Sequence, residues 1–529
     1  MKNKMRMRAL GALIAAMALL VPSAVMAQKP KAKPGPRPSV LRVVPHANLV
    51  LLDPTWTSIY ITRNYGYLVY DTLFSMDASG QPRPQMVDTW TESEDHLTWT
   101  FKLRDGLKWS DGADVTAEDC IASLQRWSKH SGLGQILFYY IDNLSAADPK
   151  TIVMKLKTPY PWVLQSLAQL SSYVPFMLPK RAAETPADQQ ITDHIGSGPF
   201  ILKQDEFVPG KKAVFVKNPA YVPRSEPPSL AAGGKMAKVD RVDWVSYPSE
   251  SKAVNALIAG KVDYMEEVSP RYVRRLQRHK GIVIGRSGVF VAMARFNHTI
   301  PPFNNPGVRR AVMMAMDQTD YMKSAIVVKK YWKTCYSVFP CGSPLANEAG
   351  SEFLKTATMA KAKAALKEAG YDGTPVVLLN AKDIPVIASI NKVTVAKLRR
   401  LGMKVELRDT TWAEMATERT KRTGWNLFQT YWAAADLESP RHIAFSGDPV
   451  NGWYGWPDDK ELEALRDQFV KEANPVEQKK IAEKIQERIW TDGATAYLGQ
   501  FELPVAYRSY VKGVIISPVQ LFWNISIER

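Results

Sequence analysis

Disulfide support is what this 529-residue chain most plainly lacks. It has three cysteines, Cys120, Cys335 and Cys341, too few to be the main staples of a chain this long. Long apolar runs are missing too. The one continuous run, Ala9 to Val21, has thirteen residues, short of the roughly 20 needed to span a bilayer. Histidine is sparse at seven, with no HExxH pattern and no pair at metal-ligand spacing, which argues against zinc chemistry. The GxSxG nucleophile elbow and the phosphate-binding GxxxxGK pattern are absent, and no internal repeat is found. Nothing in the chain calls for a metal or a cofactor.

Two short enzyme-like patterns survive this screen. Ser249-Glu-Ser-Lys252 fits SxxK and Ser389-Ile-Asn391 fits SxN, as in penicillin-recognising acyl enzymes. The third element of that set, KTG, is approached only by Lys333-Thr-Cys335, so an exported hydrolase is the minor alternative. A glycoside hydrolase needs only two carboxylates, which pattern alone does not exclude.

The composition is otherwise that of a soluble globular protein, with 46% hydrophobic and 23% charged residues. Residues 1–27 read as an export signal: Lys2, Lys4, Arg6 and Arg8 precede the apolar run, Pro22 ends it, and Val25-Met26-Ala27 suits cleavage after Ala27. Residues 28–38 form a basic, proline-rich tail that has nothing to bury. Acids are outnumbered 52 to 69, a net charge of +17; losing the four basic residues of the leader leaves +13. The densest basic cluster, Arg271 to Lys280, surrounds Val273 and Leu276 at helical spacing and reads as a solvated helix face. Export together with that pattern argues against a nucleic-acid partner. In an oxidising compartment Cys335 and Cys341, with five residues between them, are expected to pair, contributing about 2 kcal/mol. Cys120, beside Ile121 and Leu124, reads as a buried, inert thiol.

About 500 residues after the leader are enough for two or three domains. Strand and helix signals alternate. Leu97, Trp99, Phe101 and Leu103 alternate with polar residues, the period of a half-buried strand. Asp105-Gly106 and Asp111-Gly112 are turns, and Thr116 with Asp119 predicts a capped helix start. Helices are expected over Ser251–Ala259, Lys361–Ala369 and Ala388–Leu401, each stopped by a glycine, and over Asp459–Val470 and Pro475–Trp490. Strand, helix, strand order implies parallel pairing through right-handed crossovers.

Leu97 to Cys120 resembles a signature of family 5 extracellular solute-binding proteins, the peptide-binding subunits of ABC importers. The likeness continues through Leu52-Asp53-Pro54, Val69-Tyr-Asp-Thr-Leu-Phe74, Gly196-Ser-Gly-Pro-Phe200, Ala256 to Asp263, Asn297, Pro301-Pro302-Phe303 and Arg309-Arg310-Ala311. It implies an α/β fold of the type II periplasmic-binding-protein kind, with two lobes and a hinge. The first domain would be assembled from residues 39–68, 191–285 and 498–529, with an α/β domain inserted over 69–190; the second lobe would be 286–497.

The same resemblance implies a periplasmic protein, a monomer, that captures a peptide or similar amine-bearing solute without changing it and hands it to an ABC permease with its ATPase in the inner membrane. Alternatives are an opine, oligosaccharide, metal chelate or haem cargo, or a ligand sensor. An acid after a tryptophan anchors the ligand amine in peptide-binding members; here Trp432 and Asp436 stand in that relation, spaced one residue wider. The alternative for Asp436 is a turn after a core strand. Where dipeptide binders carry an arginine for the ligand carboxylate, this chain has Lys382 and Asp383. Tyr65, Trp432, Trp453, Trp456 and Trp523, in loops or near crossings, are candidate rings for the cleft.

Overall fold

The computed structural model describes residues 38–286, 288–472, 474–515 and 517–529. The export signal, its Ala27 cleavage point and all but the last residue of the 28–38 tail lie outside the described residues. A first, seven-stranded sheet is built around Val40–Val44, whose alternate residues Leu41 and Val43 are fully buried. This strand runs parallel to Arg241–Val245 on one side and to Tyr264–Met265 on the other. Lys212–Lys217, Phe200–Leu202, Val505–Arg508 and Ile282–Gly285 complete the sheet, each antiparallel to its neighbour.

A second, six-stranded sheet has Val289–Phe296 between Thr495–Glu502 and Leu427–Ala433, both antiparallel to it. Val376–Ala381 pairs in parallel with Leu427–Ala433 and Val405–Thr410. The helix Pro385–Leu401 makes the crossover between two of these strands, starting at Pro385 and stopping at Gly402 with φ +106°. It therefore begins three residues before the expected Ala388, because proline at the first helical position loses no hydrogen bond. The four antiparallel strands Val87–Glu92, Thr98–Leu103, Thr151–Leu156 and Ile141–Asp148 make a separate sheet within the expected insert. Its helix Ala117–Trp127 opens with a Thr116–Asp119 capping box.

The chain passes from the first sheet to the second between Gly285 and Val289 and returns between Glu502 and Val505. The expected return at 497/498 needs correction: Thr495–Glu502 is a strand of the second sheet, so Leu503-Pro504 makes the crossing. Ser249 caps a helix by accepting the Lys252 N–H, and Ser389 Oγ donates to the Pro385 carbonyl. Cys335 and Cys341 are joined, with S–S 2.02 Å, and Cys120 is buried.

Two buried ion pairs tie the insert to the first domain. Asp53 Oδ2 accepts from Arg126 Nη2 at 2.6 Å and from the Ile191 N–H at 3.0 Å, tying the insert to both flanks of the first domain. Asp71 accepts from Lys235 Nζ at 2.7 Å and from the Tyr221 hydroxyl at 3.0 Å, both ends of the ion pair being 1% exposed. Lys235→Met is expected to strand the Asp71 carboxylate and cost about 3–5 kcal/mol. Urea unfolding measures this, and adding Asp71→Asn should recover part of the loss.

Burial pushes His442 down to about 4. The folded protein keeps it neutral where an unfolded histidine already takes up a proton at about 6.5. Between those values the unfolded state binds more protons, so falling pH favours unfolding. Relative to His442→Asn, the melting temperature of the wild type is expected to fall progressively from about pH 6.5 to pH 4, read by calorimetry of the two proteins in parallel.

Candidate functional site

Parallel strands aim their carboxyl ends at a common edge, and in α/β sheets ligands collect there. Val40–Val44 ends in Pro45-His46, Tyr264–Met265 in Glu266-Glu267, and Arg241–Val245 in Ser246-Tyr247. From the second sheet, Val376–Ala381 ends in Lys382-Asp383-Ile384, Val405–Thr410 in Thr411-Trp412, and Leu427–Ala433 runs into the turn holding Asp436. These ends face one another across a cavity of about 510 Å³, lined on one side by Pro45, His46, Tyr247, Glu250, Glu267 and Tyr272, and on the other by Lys382, Asp383, Ile384 and Tyr431. That volume lies within the usual range of roughly 300–1,000 Å³ for small-ligand sites.

A narrow recess of about 20 Å³ continues inward, sharing His46, Ile384 and Tyr431 with the larger cavity and lined further by Ser58, Tyr60, Trp412, Arg419, Trp432 and Trp453. Arg419, 1% exposed, is its unusual member. Its guanidinium carbon sits 4.9 Å from the Tyr454 ring centroid and 5.4 Å from those of Trp412 and Phe428. One weak bond reaches out, from Nη2 to Ser58 Oγ at 3.4 Å, and burial pulls its pKa down. Among the described residues no carboxylate pairs with it. Arg419 Nε, Trp432 Nε1 and Trp453 Nε1 are all buried without an acceptor. Three unanswered donors and one positive charge around a single recess call for an anion.

The helix Tyr60–Val69, buried on every face, supplies the back of the site. The Tyr60 hydroxyl donates to Asp436 Oδ2 at 2.5 Å and accepts the Ala433 N–H at 2.6 Å. Ser171 Oγ also donates to Asp436 Oδ2, at 3.1 Å, so both bonds fall on one oxygen. Arg63 lies over the Tyr60 ring at 4.1 Å and donates to Ser171 Oγ at 2.5 Å. Asn64 Nδ2 and His46 Nδ1 both contact Glu266 Oε1, at 2.5 and 2.7 Å. Burial alone would lower the His46 imidazole; Glu266 outweighs it, and its pKa is raised.

The residues expected from sequence divide. Trp432 and Trp453 line the recess, and Lys382 and Asp383 line the larger cavity. Lys382 is exposed, 3.9 Å from Asp409, and Asp383 accepts the Trp412 N–H at 2.7 Å, so neither offers a free carboxylate receptor. Asp436 is buried behind Tyr60 rather than on the cavity wall. Three rings are corrected to packing. Tyr65 is fully buried against Tyr70 and Phe215, and Trp523 against Tyr67 and Lys235. Trp456 packs on Trp425, Tyr454 and Arg422. Large rings near a crossing gain more from a dry core than from a wall that must accept a guest.

Sequence reasoning missed Arg419, His46, Tyr60, Trp412 and Glu267. Arg419 stands in the charged run Glu418 to Arg422, which reads as solvated surface. His46 and Glu267 did carry a signal, since each stands two residues beyond the end of a short strand.

A family model for bacterial extracellular solute-binding proteins, family 5 (Middle), matches residues 81–451. A probable peptide ABC transporter periplasmic-binding protein, y4tO, of Sinorhizobium fredii (strain NBRC 101917 / NGR234) is 35% identical over 494 residues, 90% of this chain and 91% of that protein. Among solved structures, AgaA of A. tumefaciens R10 in complex with agropinic acid superposes with TM-score 0.78 at 21% identity, covering 93% of this chain and 99% of that one. DppA of Helicobacter pylori in complex with the peptide STSA gives 0.75 at 21%, covering 93% and 98%. The likeness to these two is one of fold. By the family match and the near-full-length relative, this chain belongs to the family 5 bacterial extracellular solute-binding proteins.

Proposed function

We propose that this protein is the periplasmic solute-binding subunit of an ABC importer and that it captures a peptide, or a similar solute bearing both an amine and a carboxylate, between its two lobes. The observation that carries this reading is Arg419, a buried guanidinium with no counter-charge among the described residues, set in an aromatic recess that shares His46, Ile384 and Tyr431 with the inter-lobe cavity. A solute carboxylate would answer it, and the Trp432 and Trp453 N–H groups could bond the same acceptor. Asp436 is the proposed amine anchor, acting through its charge from just behind Tyr60 on the recess wall: Oδ2 is held by Tyr60 and Ser171, and Oδ1 has no donor among the described residues. Tyr60 and Asp436 come from opposite sides of the cleft, so a guest contacting either favours the closed arrangement.

The relative named a peptide ABC transporter protein and the neighbour solved with a tetrapeptide support the peptide reading; the neighbour holding agropinic acid supports an opine as the second. The partners that follow are the permease and its ATPase in the inner membrane, with the binding protein itself a monomer and the solute released unchanged.

Native mass spectrometry of the purified protein reads the cargo: co-purified peptides support the first reading, and a glycan or a metal complex overturns it. Arg419→Met should weaken binding of a captured peptide by more than about tenfold, since a stranded carboxylate loses a charged hydrogen bond. The same change should leave the melting temperature unchanged or raised, because an unpaired buried charge is removed. Asp436→Ala is expected to weaken binding by a similar factor, and unchanged affinity in calorimetry would remove either residue from the site.

A further inference from the structure

Three carboxylates line the larger cavity, and the structure satisfies two of them. Glu250 accepts from the Ser269 N–H at 2.5 Å, from Ser269 Oγ at 2.7 Å and from Arg271 at 3.4 Å. Asp383 accepts the Trp412 N–H at 2.7 Å. Among the described residues no donor reaches Glu267. Its neighbour Glu266 turns to the other face of the chain, as successive residues of an extended segment do, and is 2% exposed among His46 and Asn64. Glu267 is left half-buried on the cavity wall, with the rings of Tyr247, Tyr272 and Tyr431 lining the same space. The cations nearby are already engaged. Arg271 contacts Glu250, His46 contacts Glu266, and Arg63 contacts Asn64 and Ser171. Lys382 is out in solvent beside Asp409.

An unpaired carboxylate in a partly desolvated cavity is costly, and a cation is what removes the cost. Resting on the reading above, we infer that Glu267 is the receptor for a second cationic group on the solute, so that the preferred cargo is a peptide or peptide-like zwitterion with a basic side chain. Its amine, its carboxylate and this extra cation would go to separate points: Asp436, Arg419 and Glu267. The tyrosine rings suit the last of these, because an ammonium or guanidinium is attracted to aromatic faces as well as to the carboxylate.

The charge state of Glu267 supports the assignment and makes it measurable. Burial pushes its carboxyl up to about 7; Glu266 and Glu250 push the same way, and His46 and Arg63 oppose. Only the ionised form attracts a cation, so binding draws the proton off. Affinity for a basic solute should fall about tenfold between pH 8 and pH 6, the change in ionised fraction for a group titrating near 7. The part of the fall that Glu267→Gln removes is the share of Glu267 itself.

The test is calorimetry with the three tripeptides that carry one lysine and two alanines, against trialanine. At least one lysine peptide should bind more than tenfold tighter than trialanine at pH 8, with that preference shrinking about tenfold by pH 6. Glu267→Gln should bind lysine peptide and trialanine alike and lose most of the pH dependence. A wild type with no lysine preference, or a variant that keeps it, would overturn the Glu267 assignment and leave the peptide reading standing. Failure of all four peptides to bind would overturn both. If Glu267→Gln does not fold, Glu267→Ala is read in the same way: loss of the lysine preference supports the assignment and its retention overturns it.

Discussion

Every residue of the helix Tyr60–Val69 is buried, so each polar group on it had to find a partner inside the protein. Those partners come from different parts of the chain. Tyr60 reaches Asp436 and Ala433 at the end of a strand of the second sheet, Arg63 reaches Ser171 in the insert, and Asn64 reaches Glu266 at the end of a strand of the first sheet. The far end of the helix is equally constrained. Gly198 donates to the Val69 carbonyl at 2.8 Å, and a Cβ on Gly196 would lie 2.0 Å from that oxygen. Both glycines are there because backbone must pass this close. The site is assembled where these obligations meet.

The two walls of the cleft are left with opposite deficits. On the side of the second sheet, Arg419 and two indole N–H groups lack an acceptor. On the side of the first sheet, Glu267 lacks a donor among the described residues. Other buried charges are paired, as in Asp53 with Arg126 and Asp71 with Lys235, or held by neutral acceptors, as Arg295 is by the Tyr454 carbonyl and Thr495 Oγ1. Unmet polar groups are costly in a fold and tend to persist where a function uses them. The excess of positive charge over the whole molecule is a different matter: it is spread over solvated faces such as the helix Pro270–Gln277, whose Val273 and Leu276 are buried while its arginines face outward.

Local chemistry was the most legible part of this chain. Thr116 with Asp119 announces a capping box, Asn305 before Pro306 and Asn474 before Pro475 announce helix starts, and glycine after Ala369 and Leu401 announces helix ends. Each depends on residues within one turn of one another. The misjudged positions depend on partners far away in sequence. Thr495–Glu502 belongs to the second sheet because it pairs with Val289–Phe296, and nothing in its own pattern says which sheet it joins. Tyr65 and Trp523 look like cleft rings until the tertiary contacts enclose them.

The sequence by itself determined the secondary elements, the alternation that yields parallel pairs within mixed sheets, and, through ordered local motifs, the family; it also marked Trp432 and Trp453. Tertiary structure alone decided that Arg419 is buried with no carboxylate beside it among the described residues, that Asp436 is held by a tyrosine 376 positions earlier, and that Glu267 has no donor among them. Caps and periodicity are interactions between near neighbours. Desolvation and charge pairing depend on everything that surrounds a group, and the surroundings exist only once the chain has folded.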